Sequence, residues 1–403
     1  MYVKPERLLE EQKEVLEVVV VVTSKLKCFS FFVILLQFGF IALNLHAAVL
    51  PEDRSDILYH RFDGGGVVID GPSILVRKSI QDTVSISANY YVDNVTSASI
   101  DVVTTASEYI EQRIESSVSV EYLRDKTILS VNYTQSDEND YSARSAGFNF
   151  TQDFFGDLTT ISAGYSQGWD VVSKRGEEDF AEDVNRKQFR FGLTQILTKN
   201  SLIGISWETV TDEGFLNNPY RSVRYLDPTT AVGYSYQSEL YPETRTSDAF
   251  AIRGMYYLPY RAAIKAEARF FSDTWGITSK NAELSYTHPI GEHWIVDAKI
   301  RSYSQTKANF YRDLFDRIDA QNFLARDKEM STFGNDSAGL AVSYERELNW
   351  GVIDRFSVNL AVDYIQFDFE DFRDLSIEGT TVGEEPFYAF DAIVTRFFFS
   401  VWY

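Results

Sequence analysis

Apolar and polar residues alternate with a period of two along most of this chain. Val84, Ile86, Ala88, Tyr90 and Val92 alternate with Ser85, Ser87, Asn89, Tyr91 and Asp93. Ile114, Val118, Val120 and Tyr122 alternate with Glu115, Ser117, Ser119 and Glu121. The rhythm returns at Ile161/Ala163/Tyr165, Phe189/Phe191/Leu193, Ile203/Ile205/Trp207 and Leu284/Tyr286. It appears again at Trp294/Val296/Ala298/Ile300, Leu340/Val342/Tyr344 and Phe356/Val358/Leu360/Val362/Tyr364. Side chains of an extended strand point alternately to its two faces, so each run reads as an antiparallel strand with one apolar side. No helical stretch of comparable quality occurs after residue 56.

The connections alternate in length. Short ones fall at 80–82, 124–126, 155–157, 198–200, 258–260 and 290–292, with 349–354 slightly longer. Long polar loops fall at 171–185, 211–244, 309–333 and 370–385. Tyr, Phe or Trp stand near many strand ends, as an interfacial girdle requires. Together these features predict an all-β fold: a closed antiparallel transmembrane β-barrel with short periplasmic turns and long extracellular loops. Seven short connections pair fourteen strands, and the C-terminal strand makes fifteen. An even number is needed, so a sixteenth strand is expected within 56–69, before a turn at Asp70-Gly-Pro72; 14 and 18 are the alternatives.

The end of the chain points the same way. Tyr403, Val401, Phe399, Phe397, Thr395 and Ile393 share one face of an extended strand; Trp402, Ser400, Phe398, Arg396 and Val394 share the other. Exposed at a sheet edge in water, this strand would template aggregation, whereas in a barrel it closes against the first strand and faces lipid. The segment resembles the C-terminal recognition signal of such barrels. Arg396, Val401 and Tyr403 fit it and, with Phe399, form the expected assembly signal; Phe398 stands where Gly is usual.

Composition narrows the class. Aromatic residues make up 15% of the 403, and the formal net charge is -21. Phosphate binding needs a basic footprint, so this acidic balance argues against nucleic acid. A mean hydropathy of -0.21 is too polar for a helical membrane bundle but normal for a barrel that alternates lipid-facing and lumen-facing residues.

Near the N-terminus, Lys25 and Lys27 precede the apolar run 28–42, and Ala47 and Ala48 follow. This reads as a Sec-type signal peptide. Glu10, Glu11, Glu14 and Glu17 make residues 1–24 unlike any part of one. The expected organisation is therefore an extension plus signal peptide over 1–48, removed on export, and a single barrel domain over 49–403. Removal takes Cys28, the single cysteine, and leaves no thiol chemistry.

Several blocks resemble a known family. They are Leu50-Pro-Glu-Asp-Arg54, Tyr59-His-Arg-Phe-Asp-Gly-Gly-Gly66, Asp70-Gly-Pro-Ser73, Tyr90-Tyr-Val-Asp93, Ser97-Ala-Ser-Ile-Asp-Val-Val103 and Gln152-Asp-Phe-Phe-Gly-Asp-Leu-Thr159. Asn218-Pro-Tyr-Arg221, Phe271-Ser-Asp-Thr-Trp-Gly276, Gln321-Asn-Phe-Leu-Ala-Arg-Asp-Lys328, Asp371-Phe-Arg-Asp-Leu375 and the Trp-Tyr end continue the likeness. The chain is similar over essentially its whole mature length to domain-of-unknown-function family 3570. That resemblance implies a proteobacterial outer-membrane barrel without an assigned activity. It also implies neighbouring genes for small lipoproteins, a thioredoxin-like protein and a flavin transferase, hence a periplasmic lipoprotein partner and a link to extracytoplasmic redox systems. The chain carries no flavin or haem motif, so no cofactor is expected.

Candidate chemistry lies on the inward faces. If Ile264, Ala266, Ala268 and Phe270 face lipid, then Lys265, Glu267 and Arg269 face the lumen, with Arg253 on the strand before and Asp297, Lys299 and Arg301 two strands on. The early strands contribute Asp93, Glu115 and Glu121, with no Lys or Arg in that set. A basic wall opposite an acidic one would set a transverse field across a pore; the alternative is an inward ladder of salt bridges. The loop 309–333, with Phe310, Tyr311, Phe315 and Phe323, is expected either to fold in as a constriction or to stand outward and capture a ligand. Asp137-Glu-Asn-Asp140, Glu177-Glu-Asp179, Glu182-Asp183 and Glu384-Glu385 could gather divalent cations near lipopolysaccharide, or be plain solvated acids; none has calcium-loop spacing.

Catalysis finds little support. His288 and His293 flank a turn without a third metal ligand, and His60 has no visible partner set. Gly64-Gly-Gly66 lacks the strand–helix context and Lys-Ser/Thr of a phosphate loop, and reads as a bend or bulge. The expectation is a non-enzymatic barrel of the Gram-negative outer membrane, in contact with lipid and lipopolysaccharide and inserted by the barrel-assembly machinery through its last strand. Its expected role is a passive pore or transport component for small polar solutes or ions. The alternative is a closed structural barrel that anchors a periplasmic or surface partner.

Overall fold

The computed structural model describes residues 49–97, 109–377 and 379–403; the expected export segment lies outside the described residues. Nine strands come first: Arg54–Gly64 (β1), Val67–Ile80 (β2), Val84–Ser97 (β3), Tyr109–Arg124 (β4), Thr127–Asp137 (β5), Tyr141–Phe154 (β6), Thr159–Lys174 (β7), Glu177–Thr198 (β8) and Ser201–Gly214 (β9). A small hairpin follows, Ser222–Leu226 (β10) with Tyr234–Ser238 (β11). Then come Thr244–Tyr257 (β12), Ala263–Asp273 (β13), Thr278–Ile290 (β14), Trp294–Gln305 (β15), Phe333–Trp350 (β16), Ile353–Arg373 (β17) and Phe387–Trp402 (β18). All but the small hairpin join one closed antiparallel barrel of sixteen strands, in which β9 pairs β12. β1 closes on β18, from Arg54 opposite Trp402 to Gly64 opposite Ala392.

The alternation explains the closure. Ile57, Val118, Val131, Tyr133, Phe148, Leu284, Ile300, Leu340, Leu360 and Ile393 are exposed on the outer face, while their neighbours along each strand turn inward. An apolar belt of this extent on a closed barrel is suited to hydrocarbon, and closure leaves no unpaired edge. The start of β1, the end of β18 and the seven tight hairpin turns lie at one end, called here the turn end.

The other end departs from expectation in three places. The turn foreseen at Asp70-Gly-Pro72 is part of β2; the hairpin turns instead at Gly65 and Gly66, with φ of 58° and 75°. Two successive left-handed residues make the mirror-image turn that matches strand twist, so the glycine triplet is a hairpin rather than a bulge. Pro72 projects outward and leaves a gap in the β2–β3 ladder, where it has no N–H to give. The polar stretch 171–185 is not a loop: β7 and β8 run through it as a tall hairpin that turns at Arg175 and Gly176. Long connections remain at 215–243, 306–332 and 374–386, whereas β5–β6 and β13–β14 turn tightly.

Candidate functional site

On the inner wall of β12–β15 the expected charged residues meet one another. Arg253 donates through Nε to Glu267 at 2.6 Å, and the Lys265 ammonium stands 3.9 Å from the same carboxylate. Arg269 reaches across β12 to Glu208 on β9 at 3.3 Å. Lys299 reaches across β16 to Asp363 on β17 at 2.9 Å, and Arg396 meets that carboxylate from β18. The residue between them on β16 is Gly339, where a Cβ would overlap the Asp363 carboxylate and the Lys299 chain. Arg301 donates to Asn281 at 2.7 Å and stands in register with Glu283, while Asp297 accepts the Thr287 hydroxyl.

The early wall is not purely acidic, which corrects the sequence expectation. Arg113 on β4 is buried between Glu115, Asp93 and Glu138, with Ser136 accepting its Nε at 2.8 Å. It shares the parity of Glu115, two residues on, and that signal was present in the sequence. Glu121 lies nearer the turn end, beside Arg77. His60 does have partners: its Nε2 is 2.7 Å from Asp93, the Tyr91 hydroxyl donates to the same oxygen at 2.7 Å, and the two rings stack 5.1 Å apart. Gly71 stands opposite His60 on β2, and a Cβ there would overlap the Val92 carbonyl. Bare backbone at that point lets β3 carry Asp93 under the imidazole. The group is wholly buried within the barrel wall.

Three long connections among the described residues build a cap over the end opposite the turns. Arg224 on β10 is fully buried; it pairs with Asp313 from 306–332 and, through both terminal nitrogens, with Glu385 from 374–386. One guanidinium therefore joins all three segments. Arg326 adds a second bridge to Asp313 at 3.0 Å. Burial alone would raise the Glu385 carboxyl, but the hydrogen bonds and charge of Arg224 hold it below the ordinary range. Elsewhere at the cap end Trp275, Tyr241 and Phe310 pack edge-on or tilted at 5.3–5.5 Å, with Leu216, Tyr311 and Ala325 alongside.

The cap spans the mouth. Tyr220, from the same segment as Arg224, accepts the Arg175 N–H at the β7–β8 turn at 2.7 Å. β8 is the seventh strand from β17 in a ring of sixteen, so the cap's contacts lie nearly opposite each other on the rim. The segment foreseen as constriction or capture loop is part of this lid: Phe310, Tyr311 and Phe315 are buried in it, while Phe323 is exposed.

A carboxylate pair lies inside the cap. Glu239 accepts the N–H groups of Arg326 and Asp327 at 2.7 and 2.9 Å and the Tyr241 hydroxyl at 2.7 Å. Asp327 is held by Arg221 at 3.2 Å. Burial first, then the Asp327 charge, push the Glu239 carboxyl up to about 7, against Arg221 and the hydrogen bonds.

Elsewhere on the cap-end rim, Glu111, Glu138 and Asp140 bring carboxylate oxygens within 4.8 Å of one another. Glu177 pairs with Lys174, and Glu385 serves the Arg224 bridge. At the turn end His288 hydrogen-bonds Tyr286 at 2.8 Å and His293 packs on Tyr344. In the last strand Arg396 is buried inward, and Phe399, Val401 and Tyr403 lie on the outward side.

A closed sixteen-stranded barrel with an apolar outer belt, an ion-paired interior and a capped mouth belongs to the class of outer-membrane-type barrels. The chain is a member of the family described as protein of unknown function (DUF3570), whose model matches residues 105–370. Among solved structures it is similar to a bacterial polysaccharide outer membrane secretin, at 8% identity, 88% of this chain, 100% of that chain and a TM-score of 0.47. It is also similar to in-vitro folded OmpT of Vibrio cholerae, at 9% identity, 87% and 100% coverage and a TM-score of 0.39. The siderophore receptor PirA from Pseudomonas aeruginosa matches at 9% identity and a TM-score of 0.40, over 86% of this chain but only 63% of the receptor. No curated protein matches the chain. At such scores no function is carried over from these structures.

Proposed function

We propose that this chain is a gated pore of the Gram-negative outer membrane for small polar solutes or ions, without enzymatic activity. Its turn end faces the periplasm and its cap faces outward, toward lipopolysaccharide; the C-terminal strand serves as the handle for the barrel-assembly machinery. The observation that carries the reading is the three-way bridge at Arg224, a lid fastening set over a lumen whose mid-depth charges keep solvent contact. A barrel of this size usually encloses a water channel unless loops plug it, and here loops do cover one mouth. The burial within the cap also favours a second reading, a permanently closed barrel that anchors a periplasmic lipoprotein or a surface partner.

Single-channel conductance of the refolded protein in planar bilayers separates the two. The pore reading expects brief openings in the native chain and sustained current once Arg224→Ala loosens the cap. Silence in both would favour the anchor.

A further inference from the structure

Three ion pairs of the lumen wall show more of the base than of the acid to solvent, while Lys265 and Glu267 are even and Arg396 lies deeper than Asp363. On the β12–β15 arc the Arg253 side chain is 19% exposed against 9% for Glu267, Arg269 29% against 11% for Glu208, and Lys299 20% against 6% for Asp363. Short carboxylates sit close to the strand backbone, while longer bases bend over them and end further into the lumen. Of the other carboxylates on this arc, Glu283 stands in register with Arg301 and Asp297 accepts the Thr287 hydroxyl.

The facing arc is neutral at that depth. Lys299 lies five residues in from the turn end of its strand, with Arg253 and Arg269 within one residue of the same level. Five residues in from the turn end of β3 to β7 stand Asn89, Ser119, Asn132, Asn149 and Gly164, amides and small residues without charge. Of the acidic groups of that side, Asp93 and Glu115 lie nearer the cap, where His60 and Arg113 engage them, and Glu121 lies nearer the turn end beside Arg77.

We infer that the mid-lumen is a selectivity zone for small oxyanions, carboxylates or phosphates, in spite of the acidic balance of the whole chain. Guanidinium groups present planar donor forks that match an oxyanion, and in a low-dielectric barrel wall their field acts locally rather than through net charge. A transiting anion exchanges water for Arg269 and Lys299 on one side and for amide and hydroxyl donors on the other.

This inference rests on the pore reading, and its test tells the two apart. The reversal potential is measured across a bilayer with a potassium chloride gradient, for the native chain and for Arg224→Ala should the native cap stay shut. Current with a chloride-to-potassium permeability ratio above one is expected. Arg269→Gln with Lys299→Gln should bring the ratio to one or below, and Glu267→Gln should leave it high or raise it. Added phosphate should shorten chloride openings in the native zone and not in the double variant. Heat-modifiable migration on gels confirms that each variant is folded. Current that prefers potassium, or a ratio unmoved by the double variant, overturns the oxyanion zone while leaving a pore; silence of both chains removes the pore and the zone together.

Discussion

In the cap, Arg224 is sealed from solvent between Asp313 and Glu385; halfway down the lumen, Arg269 keeps nearly a third of its side chain in water while it touches Glu208. Both are arginine–carboxylate pairs, yet their surroundings give them different jobs. A buried pair has given up hydration on both sides, so removing one partner leaves a stranded charge and typically costs about 3–5 kcal/mol. A solvated pair is worth about 0–1 kcal/mol, and its charged end stays available to a passing ion. Burial makes the cap a fastening; exposure makes the mid-lumen a surface that solutes can use.

The largest effect should follow Arg224→Ala. Glu385 loses its partner, and the order of magnitude for such a loss is about 3–5 kcal/mol of cap stability. Amide exchange should accelerate in β10, β11, 306–332 and 374–386 and remain slow in the barrel strands. Uniform acceleration throughout would mean that the cap and barrel are one cooperative unit, and the contrast drawn above would fail.

Acidity should act next, through Glu239. Burial and the Asp327 charge push its carboxyl up to about 7, above the ordinary value of 4.5, so protonation favours the closed cap. That contribution is complete below pH 4.5 and is lost as pH rises through about 7. Cap exchange and open probability should therefore increase over this window. Glu239→Gln, which stays neutral, should flatten the dependence; an unchanged pH profile in that variant would assign the effect elsewhere.

A smaller effect tests the wall. Gly339→Leu drives a side chain into the Lys299–Asp363 pair and should cost about 1–3 kcal/mol in urea unfolding. Gly254→Ala, on β12 with open space around it, should stay within about 0.5 kcal/mol of the native chain. Equal costs at both positions would show that the close approach at residue 339 carries no weight.

Much of the barrel was legible because its signal is local. Val84 to Asp93 and Phe356 to Tyr364 state their two faces residue by residue, and seven tight turns fix the parity. The Gly64-Gly-Gly66 turn was misjudged because the neighbouring Asp70-Gly-Pro72 carries an equally strong turn composition; pairing with β1 overrode it and left Pro72 as a ladder gap. The stretch 171–185 looked like a loop because it lies beyond the apolar belt, where both faces of a hairpin can be polar. The inward positions of Lys265, Arg269 and Lys299 followed from period two. Their partners did not: Arg269 with Glu208 and Arg224 with Glu385 are separated by 61 and 161 residues, and the pairing of β9 with β12 joins the first as the meeting of long connections over the mouth joins the second. Arg113 shares the parity of Glu115, so period two alone places it on the inner face.

The covering of the mouth can be tested most directly by sided thiol labelling. With Cys28, the single cysteine, replaced by serine, Ser119→Cys places a lone thiol on the inner wall at mid-depth. A bulky, impermeant maleimide should modify it readily from the turn end, in opened cells, and scarcely from outside intact cells. Adding Arg224→Ala should make outside labelling fast. Rapid labelling from outside with the native cap in place would contradict the account.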